Sequence, residues 1–582
     1  MSDPSVLPAI REPRKRTTFL CLAALLLCTC VIAARDIHVG GFSWSDAPLH
    51  AMDGVFLHDL VREWPSGAWK AWAEQYYLKH QCLGILVYYP PLFAAVEAVV
   101  FLLLGISVLA ARLTVLLFVV GAVWLLFLLG RELFGTTAGL IGALAAIVTP
   151  ASVSWSRQVM LEWPATFWIA LALLAYVRCL RSPGWRWGLL TAVGCAGAYL
   201  TKQTAAFVLP VIVAHVILLR QWKLIRRVEF VVPMALAATI IFAYGRATAG
   251  LNALAPQLVA GTPPWRHLLT LEHWTWYLAR TPSILGWPML LGLAAALTGR
   301  LVAGRSASDT APARTPGGLV LLVLWAGGWW LISTLICAKE ERYLFFAAPA
   351  VALMFGADVA RLIGARPRRA VSIIPAVLSI LLLLAAGIGA IVAPAQRLVD
   401  MRPTVDYLAG RPDADLVLID AVRDGQFIFD VRRLDGEPDR TARLIPMRAS
   451  KLLYSRAART RYSYAQHVES PADIVELLDR LGIRYIVLED RLPTASRPDQ
   501  PAPDEDRSWD TPPRLMLREL VADASRFERV FTQPLACEDP TWDDVSLVTY
   551  RYENAPSRTT DTVTIPVPAM GKNVELRLVE PR

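Results

Sequence analysis

The chain has 582 residues, 55% of them hydrophobic and 18% charged, with a formal net charge of +9. Such a composition excludes an ordinary soluble globular protein and places the chain among polytopic membrane proteins. The positive charge does not point to nucleic acid: much of it lies in short loops between apolar runs, where Arg and Lys set membrane orientation, and no basic stripe interleaved with aromatics appears outside them.

Apolar runs long enough to cross about 30 Å of hydrocarbon recur from Thr17 to about Pro394. The first, at 17–34, follows Arg11, Arg14, Lys15 and Arg16, so its far end at Arg35 is expected outside. It also resembles a signal peptide, and either reading delivers Asp46 to the outer face. There "FSWSDAPLHAMDG" presents Asp46, His50 and Asp53. Asp46 precedes Pro48 as a helix cap would, yet a carboxylate at the membrane surface also suits a general base. His50, four residues on, shares its helix face.

The run Leu92–Leu104 is short for a span and holds Glu97. Reading it as interfacial or re-entrant puts the later basic clusters, at 178–186, 220–227, 300–314 and 361–369, inside. About eleven spans result: 17–34, 108–129, 137–152, 163–180, 187–201, 204–220, 228–246, 284–301, 318–337, 343–362 and 371–393. The outer face then gathers the first loop, 35–107, and four later turns. They carry Arg157 and Glu162, then Lys202, then "EHWTWYLARTP", then "CAKEERY" with Lys339, Arg342 and Tyr343. Ionisable groups at span ends are functional candidates. Arg157, Lys202, Lys339 and Arg342 form a ring of cations able to hold a phosphate whose lipid tail stays in the bilayer, and Arg112 near the outer end of an apolar span is a further candidate to bind it. Trp44, Trp155, Trp163, Trp274 and Trp276 suit either an interfacial belt or stacking on a sugar.

Beyond Pro394 the pattern changes to short strands and helices, an α/β domain over 395–582 expected outside. "DLVLIDA" and "RYIVLED" read as buried strands, "SPADIVELLDRLGI" as a capped helix, and "FIFDVRRL" and "RLIPMRA" as further strands. The segment "RLPTASRPDQPAPDEDRSWDTPPR" reads as a loop or as disordered. Six of eight cysteines sit in or beside apolar runs; Cys82 and Cys537 fall outside and form a pair only if folding brings them together.

The order of "WSDAPLH", "YYPPLF", "GISVLAARL", "GRELFG", "SRQVMLEWPATFW", "LTKQTAAFVLP" and "KEERYLFFAAPAV" resembles the GT-C glycosyltransferases, in particular the aminoarabinose transferase and protein O-mannosyltransferase (PMT) group, over residues 15–395. The resemblance implies a transmembrane domain over 1–394 that transfers a sugar from a polyprenyl phosphate on the outer face of a bacterial-type inner membrane. It matches Asp46 to the catalytic aspartate, Glu162 to a second acid, Lys202 to the lysine of a "TK" turn, and Arg342 with Tyr343 to an "RY" pair near the donor phosphate. Ala47 stands where relatives often have a second acid, and Tyr89 where they commonly have histidine. His50 is expected to bind substrate, and a divalent ion, with Glu162 as one ligand, is left open. The acceptor, whether lipid, glycan or protein, is not readable. A transporter of a lipid-linked substrate is the alternative, although no repeat and no midplane charge favour it.

Overall fold

The computed structural model describes residues 15–578 apart from 86–88, 251–258, 262, 304–314, 316, 365–369, 395–399, 436–443, 456–463, 492–510, 536–544, 554 and 568–571. Cys537, residues 492–510 of the Pro- and Asp-rich segment and much of two basic clusters therefore lie outside the described residues. The end of that segment, expected as loop or disorder, instead opens helix Pro512–Val521, with Arg514 buried and paired to Asp420.

The protein is a polytopic helical bundle with a C-terminal region built on a sheet. Among the described residues seven helices are long and apolar enough to cross a membrane: Lys15–Ala33, Val108–Phe134, Glu162–Arg181, Val228–Thr248, Gly318–Leu335, Glu341–Gly364 and Ile373–Val392. Two bent pairs, Thr136–Val148 with Pro150–Ser156 and Leu271–Leu285 with Trp287–Gly299, raise the number to nine if each is one span. The expectation of about eleven differs at 187–201 and 204–220. These are the helices Trp185–Thr201, of 17 residues, and the shorter Gln203–Leu218, both below the ~20 residues of a typical crossing. Helix Leu92–Leu104 has 13 residues, in keeping with a segment that does not cross.

Close helix packing rests on small residues. A methyl group on Gly139 would lie 2.6 Å from the Phe127 carbonyl oxygen, and one on Gly356 would lie 2.5 Å from both the Ala138 oxygen and the Gly142 nitrogen. Helices 108–134, 136–148 and 348–364 thus meet backbone to backbone, as apolar helices do when no water drives them together. Helix Glu162–Arg181 spans about 30 Å at 1.5 Å per residue. It places Glu162 at one end of the bundle and Arg178 and Arg181, paired with Glu132 at 3.1 and 2.5 Å, at the other.

The C-terminal sheet has the order Ile445–Arg448, Leu416–Asp420, Tyr485–Glu489, Ser546–Tyr552, Phe527–Pro534. The first three strands run parallel, and the last two join antiparallel. "DLVLIDA" and "RYIVLED" form two of its three interior strands, every residue of Leu416–Asp420 and Tyr485–Glu489 being buried. Helix Pro471–Leu481 starts on a capping box between Ser470 and Asp473 and ends at Gly482 in the left-handed region. "FIFDVRRL" is a helix and not the expected strand, part of Asp424–Leu434. Phe427, Val431 and Leu434 recur at helical spacing on its face toward the sheet, while Ile428 and Phe429 are buried elsewhere; the three consecutive apolar residues 427–429 hide that period.

Candidate active site

Helix Ala47–Glu63 begins at Asp46, which occupies the N-cap position while its side chain makes no capping hydrogen bond. The carboxylate instead accepts from Arg342 Nη1 at 2.6 Å, and the Tyr89 hydroxyl lies 3.4 Å from the same oxygen. Arg342 stands in the first turn of helix Glu341–Gly364 and bridges outward through Nε to Glu340 at 2.5 Å. A second ion pair comes from two other helix ends: Lys202 donates to Glu162 Oε1 at 2.7 Å, with its ammonium 5.4 Å above the Phe346 ring. Glu162 is wholly buried, and its Oε2 has no hydrogen-bond partner among the described residues.

The two pairs form one constellation. His50, 2% exposed and edge-on to the Tyr89 ring at 4.4 Å, feels Asp46, Glu162, Lys202 and Arg342 together. Burial lowers its pKa to about 4, the two acids opposing that shift, so the imidazole is neutral. Residues 46, 50, 162, 202 and 342 thus meet at one end of the bundle, although 296 positions separate the ends of that set.

The remaining candidates stand apart. Arg112 spends its guanidinium on the backbone of the loop after the first helix, donating to the Ile37, Val39 and Gly41 carbonyls at 2.7, 2.8 and 2.5 Å. Arg157 ties helix ends, donating to the Ile32, Ala390, Ala393 and Pro394 carbonyls. Lys339 donates to the Ser333 and Thr334 carbonyls and lies 4.9 Å from the Tyr277 ring centre; burial lowers its pKa to about 8. Tyr343 sits beside Arg342, 5.6 Å from ring to guanidinium, and its carbonyl accepts from Ser333 at 3.2 Å. Trp44 and Trp155 meet edge to face at 5.2 Å, and Trp163 is fully buried.

Two contributors carry no assigned role in the sequence. Tyr89 reaches both Asp46 and His50, its only signal being its place in "YYPPLF". Asp53 is buried and accepts the Gly84 and Ile85 N–H groups at 2.7 and 2.9 Å. Among the described residues no three His, Cys, Asp or Glu side chains come together as metal ligands. Glu162 gives one carboxylate oxygen to Lys202.

A family model described as dolichyl-phosphate-mannose-protein mannosyltransferase matches residues 89–244. A search of the curated proteins found no match. Among solved structures, ArnT from Cupriavidus metallidurans, bound to undecaprenyl phosphate, superposes with a TM-score of 0.54 at 14% identity, over 94% of this chain and 100% of that one. The oligosaccharyltransferase of Archaeoglobus fulgidus, tethered to an acceptor peptide, gives 0.50 at 11% identity over 91% and 75%. Arabinofuranosyltransferase AftD from Mycobacteria gives 0.50 at 15% identity over 95% of this chain and 42% of that one. The fold is that of the GT-C membrane glycosyltransferases. The family model matches residues 89–244 alone, and the likeness to ArnT is one of fold.

Proposed function

We propose that the protein transfers a sugar from a polyprenyl phosphate to an acceptor at the membrane face that carries the C-terminal domain, which we take to be the outer face of a bacterial-type inner membrane. The observation that carries this reading is the convergence of Asp46–Arg342 with Glu162–Lys202 around a neutral His50. The undecaprenyl phosphate bound by the structurally similar ArnT supports the choice of donor.

In this reading Asp46 takes the proton of the acceptor hydroxyl as its oxygen attacks the anomeric carbon. The bond from that carbon to the phosphate oxygen breaks, and the phosphate leaves as an anion. Arg342 and Lys202 stabilise the charge that grows on it, fixed cations in a water-poor site being effective there. Both are ion-paired in the resting site, so donor binding exchanges part of each pair for phosphate oxygens. Tyr343 holds Arg342 from its side, and Lys339, Arg157 and Arg112 support the turns and loop around the site.

The test uses purified protein with a radiolabelled polyprenyl-phosphate sugar and a cell-envelope extract as acceptor source. Wild type is expected to release free polyprenyl phosphate, and Asp46→Asn to lose about 10²–10⁴-fold, the usual range for a lost general base. A protein that moves the donor across vesicles without consuming it is a transporter, and the reading fails.

A further inference from the structure

Helix Asp424–Leu434 of the C-terminal region lies along helix Ala47–Glu63 and grips its loop at three places. Ahead of Asp46, the Gln426 side-chain oxygen accepts the Phe42 backbone N–H at 2.6 Å, and the Phe42 and Phe429 rings meet edge to face at 5.0 Å. The Gln426 amide nitrogen donates to Asp430 at 2.7 Å, which fixes the direction of the amide. Just past Asp46, a methyl group on Gly425 would stand 2.9 Å from Pro48 and 3.0 Å from Cys82 Sγ, so the two helices touch closely there. Farther along, Arg432 forks onto Asp59, Nη2 to Oδ1 at 2.5 Å and Nε to Oδ2 at 2.8 Å. Tyr76 also donates to that carboxylate at 2.5 Å, and His58 Nδ1 lies 2.9 Å from it. Burial pushes the Asp59 pKa upward, but these partners outweigh it and hold the group well below the usual carboxylate range.

We infer that Arg432 and Gln426 are positioning residues for Asp46. Its carboxylate does not cap its own helix, and its ionic partner Arg342 belongs to the bundle. Where it stands relative to Glu162 and Lys202 is therefore set by the orientation of helix 47–63. Asp59 lies 13 residues along, about 20 Å at 1.5 Å per residue, so a tilt of about 3° about the Arg432 clamp moves Asp46 by about 1 Å. Misplacement of that size can cost about 10²-fold in rate. The C-terminal region thereby belongs to the catalytic unit. The inference rests on the sugar-transfer reading for its kinetic part only.

Arg432→Met alone leaves Asp59 buried without its cation, so Asp59→Asn/Arg432→Met and Gln426→Ala accompany it. The full-length protein in nanodiscs is assayed for release of polyprenyl phosphate and for backbone amide exchange. In all three variants turnover at saturating donor is expected to fall about 30–100-fold with donor KM within about 3-fold, and amides of residues 43–52 to lose protection. Arg432→Lys, keeping the charge without the fork, is expected to recover part of the turnover. Ser470→Ala, which removes a helix cap elsewhere in the same region, is expected to leave turnover per folded molecule unchanged. Normal turnover and unchanged protection at 43–52 in the folded double variant and in Gln426→Ala overturn the inference. If wild type consumes no donor while 43–52 still loses protection, the coupling stands and the transfer reading fails.

Discussion

Arg342 is the residue on which the proposed site turns, because its side chain meets Asp46, Glu340 and Tyr343 together. Its planar fork can keep Asp46 while turning other N–H groups to a phosphate, which a lysine point charge does less well. Arg342→Lys is therefore expected to lower turnover by about 10–100-fold while Asp46 stays folded in place, measured as polyprenyl phosphate released per minute. Asp53 carries a different prediction. Burial raises its pKa to about 8 against two backbone N–H groups that favour the anion. The folded protein holds this proton more tightly than the unfolded chain. The stabilisation is fully present below the ordinary value of 3.8 and is lost as pH rises through about 8. Asp53→Asn keeps an acceptor for Gly84 and Ile85 and has no proton to lose. Its melting temperature is expected to fall less between pH 5 and pH 8.5 than that of wild type, and parallel curves contradict this account.

At the scale of elements, helix 47–63 is wedged between the membrane bundle and the C-terminal region, and glycine makes the wedge fit. A methyl group on Gly54 would come within 2.5 Å of Glu97 Oε2 and 2.8 Å of Glu97 Cγ, both on helix Leu92–Leu104. Glu97 is fully buried, so it has little room to yield. Gly54→Ala is expected to cost about 1–3 kcal/mol in stability and to lower activity by moving Asp46. Glu97→Ala added to it should restore part of both, read by thermal melting and turnover. This packing also shows what sequence can and cannot reveal. The apolar runs, the Ser-Pro helix start at 470–471 and the strands 416–420 and 485–489 were legible because local spacing and burial agree there. Asp46, Glu162, Lys202 and Arg342 were legible as charges at the ends of apolar runs. Arg112 and Arg157 carry the same signal, yet their side chains serve backbone carbonyls, and nothing local separates the two uses. The Asp59–Arg432 clamp joins residues 373 apart in sequence with no pattern to announce it.

For the whole molecule, the arrangement of sides decides whether the proposed chemistry has a place to happen. Along helix 162–181 Glu162 lies about 24 Å from Arg178 and about 29 Å from Arg181, enough to put the paired charges and that basic cluster at opposite ends of a bilayer crossing. The C-terminal region clasps the loop that carries Asp46 at Phe42, Asp59 and Gln81, the last through Arg448 Nη1 at 2.7 Å. It must then lie on Asp46's side. Single cysteines at the exposed positions Ser66, Ser525 and Ser182, in a cysteine-free background, test this with a membrane-impermeant maleimide on intact cells. Ser66→Cys and Ser525→Cys are expected to react without lysis, and Ser182→Cys only after it. Labelling of position 182 together with 66 would remove the vertical order of the bundle, while labelling of 66 without 525 would break the clasp. The first pattern parts Asp46 from Glu162 and Lys202, and the second removes the C-terminal hold on helix 47–63. The predicted pattern places the site where a phosphate on a bilayer-anchored tail can reach two cations and a carboxylate at once.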